Sequence, residues 1–352
     1  MTGEWWEYLA VFAASGALCV VLTPSVMRIA IRGNLLDQPG GHKSHHTAVP
    51  YLGGVAIVIT FAAAVVVFSI LEAPYGGSGE LFIVLALGVL LSIVGLVDDL
   101  RHVSPLWRVV AEVAVAFVVW SLGTGVTASG IWVLDMGLTV LWIVGITNAF
   151  NLLDNMDGLA AGLAAISSMT IFAVAAANGQ FLVAALAVGL AGCTVGFLRH
   201  NFHPARIYMG DGGALFIGFL VAYLGIKLRF ESGRGVSAMV PVLACSAAVF
   251  DTTLVTVSRL AAGGSPFQGG QDHVSHRLVR LGIAVPHAVG IIYMGAVGVG
   301  VLAYTVSHVG SNAAWLIIGL IGLTLVVSGG ALLRVPVDLP IAKDLRPTDT
   351  SG

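Results

Sequence analysis

Hydrophobic positions along this chain do not alternate with polar ones. They come in unbroken runs of about 20 residues, the length needed to cross a hydrocarbon layer roughly 30 Å thick. Such runs predict helices near residues 8–30, 51–71, 81–97, 107–123, 134–152, 159–177, 181–198, 213–230, 237–258, 286–307 and 312–333. Long polar stretches occur only at 32–50, 199–212, 259–285 and from Arg334 onward. The pattern predicts an all-α integral membrane protein of about eleven transmembrane helices. It forms a single polytopic domain over 1–352, with a loop at 259–285 and a tail at 334–352.

Composition agrees. Of 352 residues, 57% are hydrophobic and 10% charged, and the mean hydropathy is +0.96. A soluble domain carries about 25% charged residues, so this surface is built for lipid. The net charge of -2 selects no partner, and nucleic acid is not expected to be one. No Lys or Arg precedes Tyr8, so a cleavable signal peptide with a basic start is not expected. Cys19, Cys193 and Cys245 all sit in apolar runs without metal-type spacing, as small buried hydrophobes do.

Basic residues orient the chain, because cytoplasmic loops are enriched in them. With an odd number of spans, one side receives thirteen of the sixteen Lys and Arg residues; the other receives Lys227, Arg229 and Arg234. The N-terminus is therefore expected outside and the C-terminus in the cytoplasm. Nine of the ten histidines fall in or beside the basic side, His308 being the exception. Asp37, Asp98, Asp99, Asp154, Asp157, Asp211, Asp251 and Asp272 gather there too. An active site at the cytoplasmic face is the expectation.

Asp98 and Asp99 end the third span. Adjacent carboxylates repel unless a cation or proton lies between them. They can bind Mg²⁺, orient a Lys or Arg, or accept a proton, or simply form a solvated helix end partnered by Arg101. Asn148, Asn151 and Asp154 step by three and share one helical face, with Asp157-Gly158 breaking the helix after them. Such a stripe inside a span reads as a polar ligand site or a hydrogen-bonded seam between helices. In Asn201-Phe-His203-Pro-Ala-Arg206-Ile-Tyr208-Met-Gly210-Asp211-Gly212-Gly213, a loop runs into a helix start. Glycines there let backbone N–H groups approach an anion, and Asp211 can hold a hard cation beside it, the manner in which Mg²⁺ is usually bound. A plain turn is the alternative.

His273, His276 and Arg277 lie within five residues in the 259–285 loop, which suits a phosphate clamp. His-x-x-His also suggests zinc, but no cysteine or third ligand is near. Asp251 lies inside the ninth span, where an ionisable group is a functional candidate unless it pairs with Arg259 or with a neighbouring helix. Glu112 is expected to pair with Arg108, four residues before it. His42, Lys43, His45 and His46 precede the second span, either as topology signals or, for Lys43, as a phosphate contact.

In this order, from Pro50-x-x-Gly53-Gly54 to His273-x-x-His276-Arg277, the segments resemble the polyprenyl-phosphate N-acetylhexosamine-1-phosphate transferases. Asn148-x-x-Asn151-x-x-Asp154-x-x-Asp157-Gly158-Leu159 and Met209-Gly210-Asp211 are the most specific parts. Eleven spans and Ser265-Pro266-Phe267 look more like the undecaprenyl-phosphate GlcNAc-1-phosphate transferase branch than the phospho-MurNAc-pentapeptide branch. The resemblance implies a multi-pass cell-membrane enzyme for cell-envelope glycan synthesis. It would transfer an N-acetylhexosamine 1-phosphate, GlcNAc 1-phosphate foremost, from its UDP-sugar to a polyprenyl phosphate with Mg²⁺, or Mn²⁺ in its place, releasing UMP and leaving a lipid-diphosphate sugar; homodimers occur among such enzymes.

The resemblance also implies roles. Asp211 would be the principal metal ligand, with Asp98 and Asp99 beside the metal and the lipid phosphate. Asn151, Asp154 and Asp157 would shape the nucleotide-sugar site, and Asn201 and Tyr208 would contact uridine. His273, His276 and Arg277 would hold the diphosphate, with Asp251 near the same cavity in a broken ninth helix. Two positions depart from many relatives: Ser275 stands where a further His is common, and Ala248 where a Pro is common. A secondary transporter with a carboxylate-lined site is the rival class, and an inactive scaffold a second.

Overall fold

The computed structural model describes residues 3–37, 48–71, 78–101, 103–230, 234–265 and 270–337. Lys43, with His42, His45 and His46, lies outside the described residues, as do Pro266 and Phe267. Thirteen α-helices account for most of the described chain. They are α1 (Trp5–Arg32), α2 (Gly53–Leu71), α3 (Ser78–Arg101), α4 (Pro105–Ser121), α5 (Trp132–Leu153), α6 (Leu159–Ala177) and α7 (Phe181–Asn201). Then follow α8 (Asp211–Lys227), α9 (Arg234–Ala244), α10 (Ser246–Ala261), α11 (Val274–Arg280), α12 (Val285–Val306) and α13 (Ser311–Leu333). A two-residue antiparallel pair, β1 (Leu36–Asp37) with β2 (Val49–Pro50), aligns Leu36 with Pro50 and Asp37 with Val49.

Eight helices are long and apolar enough to cross a membrane, or nine if the bent pair α9 and α10 counts as one span. Their outward faces carry large apolar side chains such as Val21, Leu141, Leu316 and Val326, which water would penalise and lipid does not. The chain is a multi-pass integral membrane protein. Each apolar run read from the sequence is helical, with two differences. The ninth run is two helices meeting at 82° around Cys245, not one rod over 237–258. Pro241 lies one turn before that bend and has no N–H to give the preceding turn. The 259–285 segment is not all loop either, since α11 lies inside it.

At the centre stands α8, with every residue from Gly212 to Ile226 buried. In α6, 72% of the apolar window is buried against 11% in α13, so α6 is inner and α13 peripheral. Small residues bring the inner helices together, as is usual where lipid supplies no hydrophobic drive between them. Two glycines bear directly on the site. A Cβ on Gly54 would lie 2.3 Å from Gly213 Cα, and one on Gly95 would lie 2.5 Å from the Asp211 carbonyl carbon. The backbones of α2 and α3 thus abut the first turn of α8, and Asp98 and Asp99, one turn beyond Gly95, arrive beside Asp211.

Candidate active site

Three helix ends build an acidic pocket. α3 supplies Asp98 and Asp99, α5 supplies Asn151 with Asp154 just past its end, and α8 starts at Asp211. The Asp99 carboxylate accepts the backbone N–H groups of Asp211 (3.0 Å) and Gly212 (3.3 Å) at the open start of α8. There the unpaired amides and the helix dipole favour an anion. Asn151 Nδ2 donates to Asp211 Oδ1 at 2.8 Å. Gly210, at φ 73 and ψ 167, bends the chain so that its N–H meets the Asp154 carboxylate.

The incoming loop is itself held. Tyr208 donates its N–H to the Pro50 carbonyl (2.8 Å), while Gly53 and Gly54 donate to the Tyr208 and Met209 carbonyls (2.9 and 2.8 Å). Pro50–Gly54 is therefore a dock for the Asp211 loop. Burial, then the charge of Asp157, pushes the Tyr208 phenol up to about 12. Burial, then the charges of Asp211 and Asp99, pushes the Asp154 carboxyl up to about 7.

The cation in this pocket is one the sequence reading placed elsewhere. Arg108 Nη1 lies 2.7 Å from Asp98 Oδ2 and 2.6 Å from Asp211 Oδ2, bridging α3 and α8. It does not bond Glu112, as helical spacing suggested; the carboxylate of fully buried Glu112 accepts Asn148 Nδ2 instead. Nor does Arg101 serve Asp98, whose second oxygen accepts the Val103 N–H at 2.6 Å. Asn148, on the same stripe as Asn151, thus points to α4 rather than to Asp211. A bond spanning ten residues from a loop-separated helix leaves no periodic signal, which is why Arg108 was missed.

A second cluster lies alongside. Asp251 on α10 accepts from the Val274 N–H and contacts His273 Nδ1, both at 2.7 Å. Arg259 grips Asp272 through Nε and Nη2 at 2.8 and 2.7 Å, with both side chains fully buried. Asp251 is therefore not the partner of Arg259. Arg277 is also buried and donates to the Asp272 carbonyl, Ser258 Oγ and the Leu332 and Val335 carbonyls. Those bonds pin α11 against α10 and the end of α13. Ser275, at the departing position, donates to Asn155 Oδ1 at 2.8 Å and ties α11 to the turn after Asp154. His276 presents a buried Nδ1 without a hydrogen-bond partner, and burial, then His273, pushes its imidazole down to about 4.

Asp157 and Asn201 serve the loops between the clusters. Asp157 Oδ2 takes His203 Nδ1 (2.8 Å) and the Ala205 N–H (3.0 Å). Asn201 is buried between the Gly158 N–H and the Ile207 carbonyl, facing inward rather than toward a base.

Among the described residues no three His, Cys, Asp or Glu side chains converge as a ready metal cage. Magnesium does not need one, since it is held by one or two carboxylates with waters and substrate phosphates. The donor set fits a hard cation, and the Arg108 guanidinium already stands in for positive charge between Asp98 and Asp211.

The family model for glycosyl transferase family 4 matches residues 81–229, the stretch that carries Asp98, Asp99, Arg108, Asn151, Asp154 and Asp211. A probable undecaprenyl-phosphate N-acetylglucosaminyl 1-phosphate transferase of Bacillus subtilis is 34% identical over 297 residues, covering 80% of each chain. A decaprenyl-phosphate N-acetylglucosaminephosphotransferase of Mycolicibacterium smegmatis is 32% identical over 331 residues, covering 84% of this chain and 80% of its own. An Escherichia coli undecaprenyl-phosphate alpha-N-acetylglucosaminyl 1-phosphate transferase is 26% identical over 293 residues, 78% of each. This chain accordingly belongs to glycosyl transferase family 4, within its polyprenyl-phosphate N-acetylglucosamine-1-phosphate transferases, a family of membrane phosphoglycosyltransferase enzymes.

Proposed function

We propose that the protein transfers N-acetylglucosamine 1-phosphate from its UDP-sugar to a polyprenyl phosphate at the cytoplasmic face, with Mg²⁺, releasing UMP. The observation that carries this reading is the meeting of Asp98, Asp99, Asp154 and Asp211 from three helix ends around a single cationic group. A site at helix ends suits a reaction whose acceptor is lipid-bound and whose donor comes from water. A transporter would place its polar groups near the midplane on broken helices.

Eleven spans follow if α9 and α10 make one and the 17-residue α4 and α8 each cross, at about 25 Å for 1.5 Å per residue. The excess of basic residues then puts the acidic pocket in the cytoplasm and the N-terminus outside. In the reaction an oxygen of the lipid phosphate attacks the sugar-side phosphorus of the donor. That P–O bond forms as the bond to the UMP oxygen breaks, giving a lipid diphosphate sugar. Asp211 with Asp98 would hold Mg²⁺, which when bound neutralises charge on the diphosphate. Asp99, fixed by two backbone amides, orients the attacking phosphate or takes its proton. Asp154 lines the donor side, and the unpaired Nδ1 of His276 is free to meet the diphosphate. Positioning supplies most of the rest, as is general for phosphoryl transfer.

The test is a panel of nucleotide sugars with the detergent-solubilised protein, a short polyprenyl phosphate and Mg²⁺, scored by released UMP. Release with UDP-N-acetylglucosamine that requires both the lipid and the metal supports the reading. Release without lipid, or none from any UDP-N-acetylhexosamine, refutes it.

A further inference from the structure

Two orphaned atoms lie one helical turn apart on α4. Arg108 Nε is buried and donates to nothing, and Glu112 Oε1 is buried and accepts nothing. They belong to residues four apart, a spacing that brings side chains together on a helix. At present the guanidinium is held elsewhere by one nitrogen, Nη1, which reaches both Asp98 and Asp211. Of the other contacts of Asp211, Asn151 takes Oδ1, Asp99 takes the backbone N–H, and the Asp98 carboxyl itself lies within hydrogen-bonding reach. Asp211 Oδ2 and Asp98 Oδ2 are thus the two oxygens a cation shares, and the guanidinium is the cation sharing them. Glu112 is kept in register by Asn148, which binds its other oxygen.

We propose that Arg108 is a two-position counter-ion: it neutralises Asp98 and Asp211 in the metal-free protein, and swings to Glu112 when a divalent cation takes its place. The inference rests on the metal-dependent reading above and adds a mechanism for metal entry. A guanidinium and a divalent ion cannot both occupy the gap between the same two oxygens, so each metal bound displaces one bridge. Glu112 lowers the cost of that displacement, since a buried guanidinium without a partner is expensive. Asp98 and Asp211 are never left without a cation between them, and the ion that enters must compete for its place.

Mn²⁺ binding to the full-length protein in detergent, followed by the loss of the free-ion signal in electron paramagnetic resonance, reads the switch without turnover. R108Q should bind Mn²⁺ at least tenfold more tightly than the parent protein. E112Q should bind it severalfold more weakly, and the effect of E112Q should vanish when R108Q is already present. A Glu112 that merely packs α4 against α5 would show the same effect in both backgrounds, and that overturns the proposal. So does R108Q binding no more tightly than the parent while D211N loses the ion, an outcome that leaves the metal reading intact. If D211N and the parent bind Mn²⁺ alike, the metal reading fails and the switch with it. R108M, neutral and of similar length, replaces R108Q should that variant not fold.

Discussion

Replacing Gly210 by alanine tests the geometry of the pocket through one methyl group. Gly210 adopts φ 73 and ψ 167, a region essentially reserved for glycine, and holding an alanine there costs about 1–3 kcal/mol. Its Cβ would also lie 2.7 Å from Asp99 Oδ2 and 3.2 Å from the Tyr51 carbonyl oxygen. Asp99 must then retreat from the Gly212 N–H, whose bond to a charged acceptor is worth about 1.5–3 kcal/mol. Together the two effects amount to about 4 kcal/mol. Gly263 is the control, because it has the same φ of 73 with open space where a Cβ would go. There the left-handed conformation alone should cost about 1–2 kcal/mol. Unfolding midpoints in detergent should therefore fall clearly further for G210A than for G263A. If Asp99 orients a reacting group as proposed, UMP release by G210A should drop about a hundredfold, the penalty of roughly 1 Å of misplacement. If G210A matches G263A in both stability and turnover, Asp99 is not held against the start of α8 as described.

Three further outcomes follow from the same structure. D211N should abolish UMP release while leaving the protein folded, seen as an unchanged elution volume and helical content; normal turnover would remove Asp211 from the metal site. D272N removes the carboxylate charge that the buried Arg259 guanidinium grips through two nitrogens and should cost about 3–5 kcal/mol in unfolding experiments. A loss under 1 kcal/mol would contradict the buried pair. Asp154 and His276 should act on stability with opposite sign against pH. The Asp154 carboxyl, raised to about 7 by burial and then by Asp211 and Asp99, contributes stability that is full below its unfolded value near 4 and lost as pH rises through 7. The His276 imidazole, lowered to about 4 by burial and then by His273, contributes stability present above about 6.5 and lost as pH falls toward 4. Midpoints measured without metal between about pH 4 and 7 should rise with pH more steeply in D154N than in the parent, and less steeply in H276N; slopes unchanged in both would refute the two placements.

Much of this architecture was legible because lipid is an undemanding solvent to read. A span must be apolar for about 20 residues whatever it packs against, so each run from 8–30 to 312–333 announced a helix. What the runs could not show was a bend inside one of them. Residues 237–258 read as one predominantly apolar run, yet the chain turns by 82° at Cys245 and carries Asp251 on the second piece toward α11. Hydropathy averages over the bend, so the broken ninth helix came from the family resemblance and not from the run itself. The helix α11 was hidden for the opposite reason, since seven residues flanked by glycines are too few to display a period.

The pocket divides along the same line. Residues that lie on one helical stripe or beside one turn, such as Asn151, Asp154 and Asp211, were visible as a polar group inside an apolar context, and the structure brings them together. The identity of each partner was not visible, because pairing across helices depends on which helix ends meet. Local spacing assigned Arg108 to Glu112 and offered Arg259 as one possible partner of Asp251; packing gave Arg108 to Asp98 and Asp211, Arg259 to Asp272, and Asp251 to the start of α11. These reassignments have one physical origin. A helix end pressed against another by glycines, as α3 is against α8 at Gly95, gathers carboxylates closer than any single helix can. Carboxylates so crowded need a cation more than a cation four residues away needs any one of them. Carboxylates therefore crowd where three helix ends converge, and the Arg108 guanidinium goes there.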